Sequence, residues 1–169
     1  MASLRVAVRI RPIQKHDKEA PGAPPCLEPV ASEDGIPPTE LQLAKDGPRL
    51  AFDRVFSQTA RQEEVFHDVA LPLVQPVLEG VNACVFAFGN TGAGKTFSMI
   101  GPEGGRLSGG MRRKDEGVLP RVAAELFRRI ARMEAEADAL LSDQISAGSG
   151  GGGAAQSFSA YQGLNSIGY

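Results

Sequence analysis

The sequence has few cysteines, little net charge and no long apolar run, and each shortage argues against a class of protein. Its two cysteines, Cys26 and Cys84, share no C-x-x-C spacing, whereas a secreted disulfide framework or a structural zinc site requires more. The formal net charge is −2 with a pI near 5.7, so composition gives no support for a nucleic acid or charged membrane partner. We therefore expect a reducing, intracellular compartment, no nucleic acid partner and no membrane partner.

Apolar stretches are short throughout the chain. The run from Val81 to Phe88 is interrupted by Asn82 and is far below the roughly 20 residues that a membrane-spanning helix needs. Arg9 and Arg11 come before any long apolar stretch, so no signal peptide is predicted. With 169 residues and 42% hydrophobic content, the chain is expected to form one domain with a buried core.

Alternation of apolar and polar residues predicts two strands in the first third of the chain. Residues 4–11 are rich in β-branched side chains and stop at Pro12, and residues 50–56 alternate in the same way. The intervening residues 14–48 are dense in proline, glycine and acidic residues, which favours a loop. A short edge strand is possible there at 41–43.

A first helix is predicted after the second strand. Thr59 is expected to be its N-cap, with Gln62 completing a capping box. Apolar residues then recur at helical spacing to about Leu78. Because proline lacks an N–H and clashes with the preceding turn, Pro72 and Pro76 predict a kink or an early break.

The remaining segments complete an alternation of strands and helices. Residues 83–88 are continuously apolar, which is typical of a strand buried on both faces of a mostly parallel sheet. A second amphipathic helix is predicted over 119–140. Residues 142–169 turn to glycine, serine, alanine and glutamine, so we expect a disordered tail. The pattern predicts an α/β fold with a mostly parallel or mixed central sheet and flanking helices.

The chemistry is carried by an eight-residue motif that directly follows the predicted buried strand. Residues 89–96 read G-N-T-G-A-G-K-T and fit the P-loop pattern G-x-x-x-x-G-K-[ST]. Glycines allow the backbone N–H groups to turn inward around an anion. Lys95 would reach the β- and γ-phosphates, and the Thr96 hydroxyl would coordinate Mg²⁺. The predicted ligands are ATP and Mg²⁺, and the predicted binding residues are Gly89, Asn90, Thr91, Gly92, Ala93, Gly94, Lys95 and Thr96.

The alternative to a phosphate-binding loop is a glycine-rich hairpin or helix entry with an incidental lysine. The preceding apolar run disfavours this alternative, because a P-loop connects a buried strand to a helix.

The residues around this motif closely resemble the signature of kinesin motor domains, in which L-E-G-x-N leads into A-Y-G-Q-T-G-x-G-K-T-x-[ST]-M. Residues 78–99 read L-E-G-V-N-A-C-V-F-A-F-G-N-T-G-A-G-K-T-F-S-M. Two further kinesin motifs are resembled in the same order, by V-R-I-R-P at 8–12 and F-D-R-V-F at 52–56. G-V-L-P-R at 117–121 resembles the start of the helix beyond the P-loop. The resemblance spans about residues 4–141.

The resemblance implies a P-loop NTPase fold, ATP-driven movement along microtubules, a tubulin partner and a cytoplasmic, cytoskeletal location. In that family the R-x-R-P segment frames the adenine, which implies that Arg9, Arg11 and Pro12 contact the base. Taken alone, the two arginines would be interpreted as solvated charges at a strand end. Phe88 and Asn90 stand where the family usually has Tyr and Gln, and both keep the approximate size.

Two kinesin motifs do not occur in the 169 residues: the switch I pattern N-x-x-S-S-R-S-H and the switch II pattern D-L-A-G-x-E. In the family these segments sense the γ-phosphate and position water and Mg²⁺. The expectation is therefore a partial motor domain at 1–141, incomplete on its C-terminal side, with no catalytic residue assigned and with ATPase activity left open.

Two other functions compete with the motor hypothesis. One is a truncated, non-motor module that binds nucleotide or a partner without turnover. The other is a P-loop kinase or ATPase of another kind, which the three ordered kinesin-like motifs disfavour.

Overall fold

The structure is a computed structural model that describes residues 3–13, 27–30, 37–43, 47–102 and 115–148. The chain divides between Phe127 and Arg128 into two compact units. The first unit contains all of the strands described below and the glycine-rich loop. The predicted tail beyond residue 148 lies outside the described residues.

A parallel pair of strands lies at the centre of the first unit. Strand β1 (Ala7–Arg9) pairs with β5 (Arg54–Phe56), and Val8 lies opposite Val55. Both strands were expected from their alternation, although the second predicted strand is divided by a bend at residue 53. The parallel pairing requires a crossover connection between the two strands.

The crossover contains a small antiparallel sheet with the order β2-β3-β4, formed by Leu27–Pro29, Glu40–Leu43 and Arg49–Ala51. Its middle strand includes the predicted edge strand at 41–43. The first strand was not predicted, because it lies in a segment dominated by proline and acidic residues. The described residues therefore contain mixed parallel and antiparallel sheets.

The Asp53 carboxylate in the F-D-R-V-F segment has a structural role. Its Oδ2 accepts a hydrogen bond of 2.6 Å from the Val6 N–H, and its own N–H donates to the Val6 carbonyl at 3.0 Å. The residue thereby joins the start of β1 to the start of β5. These hydrogen bonds support the parallel pairing of β1 with β5, in which Arg9 lies opposite Phe56.

The first helical segment runs from Gln62 to Leu78, close to the predicted bounds. It consists of α1 (Gln62–Val65), a π-helical turn (Phe66–Ala70) and α2 (Leu71–Leu78). The expected early break does not occur. Instead, the π-turn precedes Pro72, which has no N–H to donate to the Asp68 carbonyl. The Arg5 guanidinium approaches that carbonyl at 3.5 Å.

The predicted Thr59 cap is wrong. The N-cap is Arg61, whose N–H lies 3.4 Å from the Glu64 carboxylate. The Thr59 hydroxyl instead pairs with the Ser57 hydroxyl at 3.0 Å. The sequence signal failed because the turn at 57–60 places the helix start two residues later, which releases the Gln62 side chain for other partners.

The strand predicted at 83–88 is not formed among the described residues. Residues 81–89 have no assigned secondary structure, and Phe86 and Phe88 are 73% and 95% exposed. An apolar run becomes a buried strand only when neighbouring strands pair with its backbone and other layers cover its faces. Within the described part of the chain no strand pairs with it. Ala83 and Val85 instead line an apolar cavity of about 280 Å³ beside α2.

The last two helices flank the residues between 100 and 117. Helix α3 (Lys95–Met99) follows the glycine-rich loop, and α4 (Val118–Gly148) contains the whole of the predicted second helix. Helix α4 continues past Leu141, so residues 142–148 are helical rather than part of the expected disordered tail. Among the helices of the described residues, none has the length and hydropathy to cross a membrane.

The core consists of two clusters, both in the first unit. One joins β5, the first helix and the start of α4 through Phe56, Val65, Phe66, Ala70 and Val118. The other joins the two sheets through Ile10, Leu41 and Val55. Val55 and Phe56 are the most deeply buried large side chains, at 0% and 2% exposure. Strand β5, which pairs with β1, therefore lies at the centre of the first unit.

Candidate functional site

The loop at 89–94 connects the extended residues before it to helix α3. Gly92 and Gly94 have φ angles of +80° and +92°, in the left-handed region. A Cβ at either position would meet no atom within 4 Å, so backbone conformation rather than space requires glycine there. The Ala93 N–H donates to the Asn90 carbonyl at 3.1 Å, which closes a tight turn.

Lys95 lies across the mouth of this turn. Its Nζ donates to the Gly89 carbonyl at 2.9 Å and to the Asn90 carbonyl at 2.8 Å. The side chain is half-buried, at the first position of α3. A positive charge is thereby held beside exposed loop residues, which is an arrangement suited to an anion.

Thr96 is exposed at the first turn of α3, next to the loop. The part of the chain that the structure describes contains no group of three histidine, cysteine or acidic side chains that could hold a metal ion. A hydroxyl and phosphate oxygens suit Mg²⁺, which keeps several waters and is commonly bound through substrate phosphates. Thr96 therefore fits a metal that arrives with a triphosphate.

The other loop positions are open to solvent. Asn90, Thr91, Gly92 and Ala93 are exposed, and Gly89 and Gly94 are half-buried. Gly94 is the N-cap residue of α3, and its carbonyl accepts from the Ser98 N–H at 2.9 Å. The eight predicted residues thus lie together in one turn and the first turn of one helix.

Arg9 is brought to the same helix, although it is 80 or more residues away from the loop in sequence. Its guanidinium donates to the Gln62 Oε1 at 2.8 Å, the Ser98 Oγ at 3.0 Å and the Ala60 carbonyl at 3.0 Å. It also lies 5.1 Å from the centre of the Phe97 ring, within cation–π range.

The environment of Arg9 acts on its ionisation in two opposite ways. Partial burial lowers the pKa of its guanidinium below the ordinary value for arginine, and the charge of nearby Glu64 partly offsets this effect. An arginine nonetheless stays protonated at neutral pH. A fixed positive charge therefore lies beside α3 under physiological conditions.

Arg11 and Pro12 follow the end of β1. Arg11 is half-buried and Pro12 is exposed. Arg9, one of the three residues expected to frame the base, contacts helix α3 through the Ser98 hydroxyl and the Phe97 ring.

Sequence reasoning missed two residues of this site, Gln62 and Ser98. Gln62 was interpreted as part of a helix cap, and no pattern in the sequence indicated that either side chain would contact Arg9. Both contacts are long-range: Gln62 is 53 residues from Arg9 and Ser98 is 89 residues from it. The three residues belong to β1, α1 and α3, so they meet only in the folded chain.

Comparison with known proteins places the chain in a family. A family model described as the kinesin motor domain matches residues 9–151. The chain belongs to the kinesin motor-domain family. Its fold is accordingly that of the kinesin P-loop NTPases.

Kinesin relatives are found among both curated sequences and solved structures. The chain is 38% identical over 134 residues to the kinesin-like protein klp-19 of Caenorhabditis elegans, which covers 79% of the chain and 11% of that protein. It is 39% identical over 129 residues to KIN-14P of Arabidopsis thaliana, covering 75% of the chain and 12% of that protein.

Solved kinesin structures match over a similar share of the chain. The Drosophila kinesin family member Kin10/NOD in complex with divalent manganese and ADP gives a TM-score of 0.62 at 29% identity, covering 79% of the chain and 40% of that structure. NOD in complex with AMPPNP gives 0.63 at 28% identity. The chain spans about two fifths of these motor structures and about a tenth of the first curated relatives.

Proposed function

We propose that this chain binds Mg-ATP through residues 89–96. The observation that carries the proposal is the turn at the entry to α3. It contains Gly92 and Gly94 in left-handed conformations, and the Lys95 ammonium contacts its carbonyls. Backbone N–H groups at such a turn and at a helix N-terminus favour anions. Kinesin structures of the same fold have been solved with ADP and manganese and with AMPPNP, which supports a nucleotide and a divalent cation.

The roles within the site follow the chemistry of each group. Lys95 would exchange its two carbonyl partners for phosphate oxygens, and Thr96 would coordinate the Mg²⁺ held by the triphosphate. Arg9, Arg11 and Pro12 would contact the adenine, as the kinesin resemblance implies. A Mg²⁺ ion bound there would neutralise charge on the phosphates.

Titration calorimetry of the 169-residue chain with Mg-ATP tests the proposal. We predict that Lys95→Ala raises Kd by about a hundredfold or more, because charge-assisted hydrogen bonds to phosphate are each worth roughly 1.5–3 kcal/mol. Arg49→Ala is the matched control, since it removes one positive charge from a 62% exposed side chain in the antiparallel sheet. Undiminished affinity in Lys95→Ala would remove Lys95 from its proposed role.

We further infer that the protein acts at microtubules in the cytoplasm, with ATP hydrolysis coupled to movement. One relative, NOD, has been docked with tubulin into a map of its complex with the microtubule, and the chain shares 28% identity with it. Because the chain covers 40% of that structure, coupling of hydrolysis to movement is proposed for the motor domain as a whole.

A second candidate is a non-motor module that binds nucleotide without turnover. The observation in its favour is the lack of switch I and switch II motifs in the 169 residues. Extending the reading frame in the transcript past Tyr169 separates the two candidates. Two switch motifs in the extension support the motor, and a stop codon supports the non-motor module.

A further inference from the structure

Gln62 is a buried polar residue at the point where four segments meet. It is 4% exposed, and it is the one polar side chain among the described residues that is buried to this degree. Burying an amide is costly unless its hydrogen-bonding groups are satisfied. The cost of burying the Gln62 amide must therefore be offset by its hydrogen bonds.

The Gln62 amide uses both of its ends. Its Oε1 accepts from the Arg9 guanidinium at 2.8 Å, and its Nε2 donates to the Phe97 carbonyl at 2.6 Å. A weaker contact of 3.5 Å joins the same nitrogen to the Asp115 carbonyl. The opposite amide orientation would set donor against donor at Arg9 and oxygen against oxygen at Phe97, so this orientation is required.

These contacts connect β1, through Arg9, to helix α3, through Phe97. Arg9 reaches α3 by a second route, a hydrogen bond of 3.0 Å to the Ser98 hydroxyl. Helix α3 begins with Lys95 and Thr96. The separation between the Arg9 guanidinium and the phosphate-binding end of α3 is therefore set by side chains that neither bind phosphate nor belong to the loop.

We propose that Gln62 is a positioning residue that fixes Arg9 against helix α3 and thereby sets the spacing between the base-contacting and phosphate-contacting halves of the nucleotide site. The inference rests on the proposed function, since it concerns the same site. Gln62 bonds to Arg9 and to the Phe97 carbonyl, and it lies outside residues 89–96. Its effect on ligand affinity would pass through Arg9, so it should depend on whether the ligand carries a base.

The test compares two ligands on the 169-residue chain, Mg-ATP and Mg-tripolyphosphate, by titration calorimetry. Tripolyphosphate offers the loop the same anion without a base. Gln62→Leu keeps the approximate volume and removes both hydrogen bonds. We expect it to raise the Kd for Mg-ATP roughly tenfold and to leave the Kd for Mg-tripolyphosphate within about twofold of the original. Gln75→Leu, the same change at an exposed position of α2, should alter neither.

Two further variants separate positioning from packing. Gln62→Glu keeps the side-chain size and an acceptor for Arg9 but sets a carboxylate oxygen against the Phe97 carbonyl, so it should break the connection to α3 and lose Mg-ATP affinity as Gln62→Leu does. Ser98→Ala removes the second contact of Arg9 with α3 from a half-buried site, and it should show the same selective loss on a smaller scale. It also provides the test if Gln62→Leu fails to fold in thermal melts.

Each alternative outcome is distinct. Equal loss of Mg-ATP and Mg-tripolyphosphate in the variants, or no loss of either, would overturn the positioning role. A Gln62→Glu variant that binds Mg-ATP as tightly as the original chain would also contradict it, because the contact with Phe97 would then be dispensable. An original chain that binds neither ligand would instead refute the proposed nucleotide site itself.

Discussion

At the residue scale, two glycines next to helix ends depend on the backbone freedom that the lack of a Cβ allows. Gly94 has a φ angle of +92° and caps α3, and Gly80 has a φ angle of +89° at the end of α2. A Cβ at either position would meet no atom within 4 Å. The two sites therefore carry the same conformational requirement, and they differ in their distance along the chain from Lys95.

We predict that Gly94→Ala and Gly80→Ala each lower the free energy of unfolding by about 1–2 kcal/mol, the cost of a left-handed conformation at a residue with a Cβ. Chemical denaturation measures this change. Only Gly94→Ala should also weaken Mg-ATP binding, because it alters the turn that precedes Lys95. Equal affinities for ATP in the two variants would show that the left-handed turn at residue 94 does not shape the site.

At the element scale, sequence patterns predicted those elements whose signals are local. The strand around Val8, the helix ending at Leu78 and the long helix α4 were all expected, since apolar spacing specifies each without reference to distant segments. The P-loop and its following helix were likewise readable from eight residues. Long-range partners could not be predicted from the sequence. Neither the contact of Gln62 with Arg9 nor the absence of a paired strand at 83–88 in the described residues was expected. Both depend on which segments the fold brings alongside.

The end of α3 and the start of α4 approach each other closely at Gly117. The Gly117 N–H donates to the Ile100 carbonyl at 2.9 Å. A Cβ on Gly117 would approach the backbone of Met99 and Ile100 to 2.5–2.7 Å, which real Cβ atoms do not tolerate and backbone atoms cannot easily relieve. Gly117 therefore allows the end of α3 and the start of α4 to meet.

We predict that Gly117→Ala lowers the free energy of unfolding by about 1–3 kcal/mol through overpacking, measured by chemical denaturation. Glu116→Ala is the matched control, because the contact of this residue with Arg121 is made by its backbone carbonyl and survives the change. A Gly117→Ala variant as stable as the control would mean that α3 and α4 can separate at no cost.

At the scale of the whole molecule, the chain matches only part of the motor structures to which it is similar. The chain spans 40% of the NOD motor structure, and Phe86 and Phe88 are largely exposed beside the P-loop. In the kinesin family the γ-phosphate is sensed by two switch motifs that do not occur in the 169 residues. Nucleotide binding and nucleotide turnover are thus expected to separate in this chain.

We predict negligible microtubule-stimulated ATPase activity for the 169-residue chain, even where it binds Mg-ATP. Phosphate release with and without microtubules measures this, and the Lys95→Ala variant purified in parallel reports any contaminating ATPase. Robust turnover that Lys95→Ala abolishes would refute the prediction, because it would show that hydrolysis proceeds without the two switch motifs.

The two carbonyl contacts of Lys95 have a consequence for the energetics of ligand capture. The Gly89 and Asn90 carbonyls occupy two of the three donors of the ammonium, so a phosphate that takes over these contacts replaces one set of oxygen partners with another. Each exchange gains the difference between a charged phosphate oxygen and a neutral carbonyl oxygen as acceptor, which favours phosphate because charge-assisted hydrogen bonds are the stronger. Selectivity for highly charged anions follows, since a weak acceptor would not displace two backbone carbonyls.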